Sequence, residues 1–389
     1  MKITDVRVRL LSYVIPPERR HRNDYGWVVK HDTVIVEVKT DEGITGIGTG
    51  IGRAESIKSI IEHQLCESLL GEDPIQIERL WTKMYAGSRM EPSLARGYLL
   101  PISGRRGDTL CAIAAIDIAL WDIWGKVLNQ PIYKLLGAAR HRIRAYASGG
   151  WAPGAAAGDE IAGYIAKGFT AAKMRAEGRD GFTIEKAIRR IAAAREAIGP
   201  DIELMVDAHG SLDVSTAIQL AKRMEPYNVA WFEEPISPDN HSGLAEVRRA
   251  TSVPIATGES EFTRFDFLSL LEQRAVDVVQ PDIGIAGGFT EVRRILALAS
   301  AFGVKAAPHN WGSGILFAAS LHMVLSAPNC YIMEVGQAQN PLIHEIFQEA
   351  FDIRDGYVYA PERPGLGYTL ADDLEERFPF SPGPTVVYA

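Results

Sequence analysis

Apolar and polar positions divide the chain into two regimes. In residues 1 to about 125, positions 33–38 and 44–48 flank the turn Asp41-Glu42-Gly43 and predict a β-hairpin. Helical spacing follows at 57–70, 74–85 and 111–128, with Pro74 after Asp73 at a position that favours a helix start. Together these make an α+β domain. From residue 143 the pattern changes to short apolar runs separated by helical segments such as 183–198 and 289–302. The runs are 143–147, 171–175, 203–206, 229–232, 255–256, 276–279, 304–307 and 331–333. Eight strands alternating with helices predict an α/β barrel of parallel strands. The Pro- and Gly-rich tail, 361–389, is too long for a barrel end and is expected to pack back on the first domain. The expected organisation is a cap, 1–128 plus the tail, and a barrel, 129–360.

Composition narrows the partners. With 47% hydrophobic and 23% charged residues the chain has the make-up of a folded globular protein. Its 41 Lys and Arg against 49 Asp and Glu give −8, which lacks the positive field that nucleic acid binding requires. The most apolar stretches, 295–304 and 315–327, fall short of the roughly 20 apolar residues of a membrane span, and the N-terminus has no signal-peptide pattern. Cys66, Cys111 and Cys330 are few and not spaced as CxxC, so a reducing cytoplasm is expected.

Candidate chemistry comes from the strand ends, because loops after the C-terminal ends of barrel strands build the active site. The third, fourth and fifth runs finish in Asp207, Glu233 and Glu259, evenly spaced along the chain. Three converging carboxylates are hard oxygen ligands of the kind that suits Mg²⁺. Neighbours in a strand face opposite ways, and the even spacing selects Glu233 over Glu234. The next ends carry Asp282, His309 and Glu334. An imidazole beside a carboxylate reads as an oriented base, so Asp282 and His309 form a dyad. Lys173 and Arg175 share a face of the second run and bring two cations to the same mouth.

These motifs resemble the enolase superfamily, specifically its mandelate racemase subgroup, over essentially the whole chain. The resemblance implies a (β/α)7β barrel with an N-terminal capping domain and a tail returning to the cap. It implies Mg²⁺ on Asp207, Glu233 and Glu259, the dyad Asp282 and His309, and Glu334 facing the substrate carboxylate. Buried and neutral, Glu334 would donate a hydrogen bond there, with Lys173 binding from the other side. The racemases of this subgroup place a second lysine where this chain has Arg175. Arginine stays protonated and is a poor base, which favours loss of a β-hydroxyl over inversion; Lys173 as a second base keeps inversion open. His209, two residues beyond Asp207, resembles the general acid of galactonate- and mannonate-type dehydratases. Its other reading is a polar residue bonded to the metal shell.

By the same resemblance positions 18–27 fall in a specificity loop, where Arg20, Tyr25 and Trp27 are candidate substrate contacts; the other reading of this charge run is a solvated face, and Trp311 is a candidate pocket wall or a core residue. The run Gly46-Ile47-Gly48-Thr49-Gly50-Ile51-Gly52 fits no phosphate-binding motif and is expected at a hairpin end beside the active site. The expected activity is a Mg²⁺-dependent dehydratase of a sugar acid. The alternative is a racemase/epimerase or a sugar-lactone cycloisomerase. The partners implied are a small-molecule carboxylate and, by resemblance, other copies of the chain in a homo-oligomer such as an octamer.

Overall fold

The structure, a computed structural model, describes residues 1–23 and 26–388. In the cap, apolar residues on alternate positions bury one face of β1 (Ile3–Val14). Two short strands follow, β2 (His21–Asn23) and β3 (Gly26–Val28), and then the hairpin of β4 (Lys30–Thr40) and β5 (Thr45–Gly48). The order β1-β4-β5 is antiparallel throughout. The segment expected at 57–70 is helical as Ala54–Ile60, a π turn over Ile61–Leu65, and Cys66–Leu69. The helix expected from Pro74 instead begins at Ile77, because Asp73 accepts from the Ile75 N–H at 3.1 Å and holds a turn there. A long buried helix, Asp108–Val127, ends the cap. Gly46, Gly48 and Gly50 lie directly on it: a Cβ on any of them would strike the carbonyl oxygen of Ala119, Ala115 or Cys111. The glycine run is thus a strand-to-helix contact surface.

The barrel strands are β6 (Arg142–Gly149), β7 (Ala171–Arg175), β8 (Glu203–Asp207), β9 (Val229–Glu233), β10 (Ile255–Thr257), β11 (Val278–Val279), β12 (Lys305–Ala306) and β13 (Met333–Gly336). They run parallel in chain order, β13 pairs with β6, and a bridge between Ala306 and Cys330 closes the ring. Helices between them start where side chains cap them. Thr183, Asp213, Asn240 and Ser313 each accept a backbone N–H of the first turn. A further hairpin, β14 (Ile353–Arg354) and β15 (Tyr357–Tyr359), adds antiparallel to the start of β6, outside the eight expected runs.

The barrel interior explains where the chemistry sits. Tyr146, Ala171, Met205, Trp231, Ala256, Val278, Ala307 and Ile332 form one buried apolar plug. Two residues further along each strand stand Ser148, Lys173, Asp207, Glu233, Gly258, Gln280, His309 and Glu334. Side chains recur on one face with period two, so the polar ring is the next layer above the plug.

The cap is fixed over this ring. Trp81 donates its indole N–H to the Gly287 carbonyl at 2.8 Å, and buried Asp117 accepts from the N–H and hydroxyl of Thr290 at 3.0 and 2.5 Å. The tail strand β16 (Val386–Val387) pairs antiparallel with β3. Lys30, paired with Asp32 on its own strand at 2.8 Å, ties the tail down through the Ser381 carbonyl. Among the described residues, no helix is long and apolar enough to cross a membrane.

Candidate active site

A cavity of about 440 Å³ lies between cap and ring. Lys173, Asp207, Glu259, His309 and Glu334 form its floor, with Arg175 and His209 at the side. The Nδ1 of His309 is 2.7 Å from Asp282, a fully buried carboxylate that also accepts from the Gly284 N–H. Its Nε2 is 3.7 Å from one oxygen of Glu259, and the Nε2 of His209 is 3.6 Å from the other. Two imidazoles therefore flank one carboxylate. His209 reaches the cavity by a turn, not by strand alternation: its φ is +51°, and its N–H donates to Asp207 at 2.8 Å.

The two cations are committed to the acids beneath them. Lys173 contacts Glu233, and Glu334 at 3.0 Å, while Arg175 contacts Asp207 at 2.6 Å. Burial alone would lower the Lys173 pKa, but Glu233, Glu334, Tyr146 and Asp207 outweigh it and raise it well above the usual lysine value. In this arrangement Lys173 is held as an ammonium. Asp207, although buried, is kept below the usual carboxylate range by Arg175 and Lys173. Burial is likewise outweighed at His309, where Glu259 and Asp282 raise the pKa well above 6.5.

Glu334 departs from expectation. Burial would favour its neutral form, but Lys173, His309, Ser148 and the Asn310 N–H at 2.9 Å together lower its pKa. It is a carboxylate and an acceptor, not a donor. Among the cap residues, the structure does not bring Arg20 or Trp27 to the cavity. Arg20 donates to the Ile15 carbonyl at 3.2 Å, and Trp27 is 42% exposed beside Val28, which does line the cavity. Adjacent strand residues face opposite ways, which accounts for the exchange. Tyr25 lies outside the described residues. Trp311 lines the cavity and meets Trp151 edge-on at 6.0 Å.

Sequence reading missed Trp151, Ser148, Trp231 and the cap residues His21 and His31. Ser148 lies one residue beyond the first apolar run as drawn. Trp231 donates to Glu233 at 2.9 Å from two positions earlier on the same strand face, a pairing that alternation allows one to find. His21 and His31 carry no such signal, because their place depends on how the cap docks.

The donor set suits a divalent cation by chemistry and by charge. Asp207 and Glu259 line the cavity and Glu233 is fully buried beneath. Glu234, also buried, has an oxygen with no hydrogen-bond partner, and burial with Glu259, Asp207 and Glu233 raises its pKa well above the usual value. Burial and neighbouring carboxylates push Glu233 up to about 7 against the pull of Lys173. Such crowding of hard oxygen donors fits Mg²⁺. Among the described residues no three acidic, His or Cys side chains already converge as a metal site, since Asp207 and Glu233 are turned to Arg175 and Lys173.

Comparison with known proteins agrees with this arrangement. Residues 12–137 match the mandelate racemase / muconate lactonizing enzyme N-terminal domain, and residues 156–374 match the enolase C-terminal domain-like family. The chain is 34% identical to an arabinonate dehydratase of Saccharolobus solfataricus, over 97% of this chain and 99% of that one. It is 34% identical to a D-galactarolactone cycloisomerase of Agrobacterium fabrum, again over 97% and 99%. A racemase from Streptomyces coelicolor A3(2), solved with bound magnesium, superposes with a TM-score of 0.83 at 30% identity, covering 97% of this chain and 98% of that one. The fold, the ring of strand-end residues and these matches together make the chain an enzyme of the enolase superfamily, in its mandelate racemase / muconate lactonizing subgroup.

Proposed function

We propose that the enzyme is a Mg²⁺-dependent dehydratase of an acid sugar, an aldonate or aldarate. The observation that carries this reading is the pair of imidazoles, His309 and His209, on either side of Glu259, while Lys173 and Arg175 are paired with the neighbouring carboxylates. Asp207, Glu233 and Glu259 would hold the metal. When bound it would offset charge developing on the substrate carboxylate and neutralise Glu259 beside His309. Lys173 and Arg175 orient that carboxylate. His309 removes the α-proton through Nε2, while Asp282 fixes the ring through Nδ1 and stabilises the imidazolium. His209 protonates the departing β-hydroxyl, which leaves as water, and the resulting enol tautomerises to a 2-keto-3-deoxy acid. Glu334 anchors Lys173.

The similarity to a dehydratase and to a lactone cycloisomerase supports α-proton chemistry without choosing between them. The His209 position favours elimination, and Arg175, a guanidinium that stays protonated, argues against a two-base inversion. Incubation with Mg²⁺ and an acid-sugar library in D₂O tests this. Appearance of an α-keto acid is expected; deuterium uptake or lactone consumption without keto acid would assign the chain to isomerisation instead.

A further inference from the structure

The carboxylate that orients His309 opens a tight segment of barrel chain. The Gly284 N–H donates to the Asp282 side chain at 2.7 Å, and the N–H groups of Ile285 and Ala286 donate to its carbonyl at 3.1 and 2.8 Å. Gly288 closes the turn on the Ile283 carbonyl at 3.0 Å and begins the helix Gly288–Ala301, whose N-cap, Gly287, has no side chain to cap it. The cap supplies the missing acceptor. Asp117, fully buried on the long helix, accepts the Thr290 N–H at 3.0 Å and the Thr290 hydroxyl at 2.5 Å. One turn on, Trp121 donates its indole N–H to the same hydroxyl oxygen at 3.0 Å. The carboxylate seats there because Gly288, at φ +82°, leaves room: a Cβ would stand 2.3 Å from its Oδ2. Two further cap groups hold the same segment, the Trp81 indole on the Gly287 carbonyl at 2.8 Å and the Ile51 N–H on the Gly284 carbonyl at 3.1 Å.

Three parts of the cap therefore grip residues 282–290, and that segment begins with the partner of the His309 Nδ1. A hydrogen bond of this kind is directional, and the base at the other end of the imidazole must meet a proton within a few tenths of an ångström. A closely packed, fully bonded turn passes a displacement of one end on to the other. We infer that Asp117 is a positioning residue for the α-proton step: through Thr290 it holds segment 282–290 in the place that aligns Asp282 with His309. The cap thus sets the geometry of the barrel's base in addition to enclosing the cavity. This rests on the His309–Asp282 reading above and extends it to a group of the cap that lies outside the cavity wall.

The test follows C2 hydrogen exchange in D₂O by the Mg²⁺-loaded enzyme, on the best substrate of the acid-sugar library, at a temperature where each variant is folded by circular dichroism. Asp117→Ala should lower kcat for exchange by roughly tenfold to a hundredfold and move KM by less than about threefold, the signature of a misplaced reacting group. Asp117→Asn keeps an oxygen for the Thr290 N–H and should recover most of that loss. Asp122→Ala is the structural control. Asp122 lies on the same helix, equally buried, but accepts the N–H groups of Ile47 and Leu366 at 2.9 and 2.8 Å. Its loss should lower the urea midpoint and leave kcat within about threefold. In an Asp282→Asn background, Asp117→Ala should cost less than about threefold, because the group it positions is already gone. Thr290→Val cuts the same contact more mildly and carries the comparison if Asp117→Ala does not fold. An unchanged kcat, an equal loss in Asp122→Ala, or the same loss on both backgrounds makes Asp117 structural only and overturns the inference while leaving the dyad. Asp282→Asn exchanging as fast as wild type overturns the dyad and the inference together, and so does the absence of exchange with every acid sugar.

Discussion

Glu259 organises the floor because it touches both imidazoles, and this separates the roles of the two histidines. Replacing His309 with Asn removes the base, and both C2 exchange and product formation should fall at least about a thousandfold. Asp282→Asn leaves the imidazole in place but removes the group that holds its tautomer and stabilises its charge. A loss confined mainly to kcat, with KM little changed, is expected in steady-state kinetics. The floor was legible in the sequence because it obeys one rule. Strand residues repeat on a face every second position, so the ends of the apolar runs name the ring directly: Asp207, Glu233, His309 and Glu334. The ionisation of Glu334 was not legible, since it depends on Lys173 lying 3.0 Å away from a different strand. Likewise Arg20 and Arg22 are indistinguishable as letters. Only the fold shows one bound to the Ile15 carbonyl and the other on a cavity.

Contacts between secondary-structure elements set how firmly cap and tail hold the barrel. Gly48 lies against the backbone of the long helix, and a Cβ there would strike the Ala115 carbonyl oxygen. Gly48→Ala should therefore destabilise the protein by about 3 kcal/mol in urea unfolding, by overpacking that neither backbone can relieve. The run of glycines was visible in the sequence, but its partner helix lies more than sixty positions away and pattern reading has no access to it. A second joint is His322, fully buried in the helix Gly314–Ser326. Its Nδ1 accepts from the Tyr133 N–H at 3.1 Å, and its Nε2 donates to the Leu366 carbonyl at 3.0 Å. Burial pushes its pKa down to about 4, against 6.5 for an ordinary histidine. Below pH 6.5 the unfolded chain takes up a proton that the folded one refuses, so this contribution to stability is lost as pH falls from about 6.5 to about 4. The loss amounts to about 3 kcal/mol. The stability advantage of wild type over His322→Gln should thus be larger at pH 7 than at pH 4; an advantage independent of pH would contradict the neutral, buried assignment.

The molecule as a whole encloses its chemistry between two parts that the chain joins twice, once through the long helix and once through the tail. Thr385 and Val386 line the main cavity, and β16 supports β3. Deleting residues 381–389 should raise KM at least about tenfold while leaving the barrel folded by circular dichroism, because the binding wall is lost and the floor is not. The barrel was legible as a count of runs. The return of the tail was legible only as excess length, because β16 is two residues long and its pairing is set by the cap surface. Net charge of −8 sits easily with an anionic substrate: much of the acidity in the site is buried around the floor, while Arg22 and Arg179 face a smaller cavity beside it. Elimination driven by two histidines is decided by comparing wild type with His209→Asn, on one acid-sugar substrate with Mg²⁺ in D₂O. The quantity to follow is the ratio of C2 hydrogen exchange to α-keto acid formed. Wild type should form keto acid, and the variant should keep exchanging C2 hydrogen while keto acid falls about a hundredfold or more. If the ratio is unchanged in the variant, or wild type exchanges hydrogen without forming keto acid, His209 is not the acid of a dehydration and the mechanism is wrong.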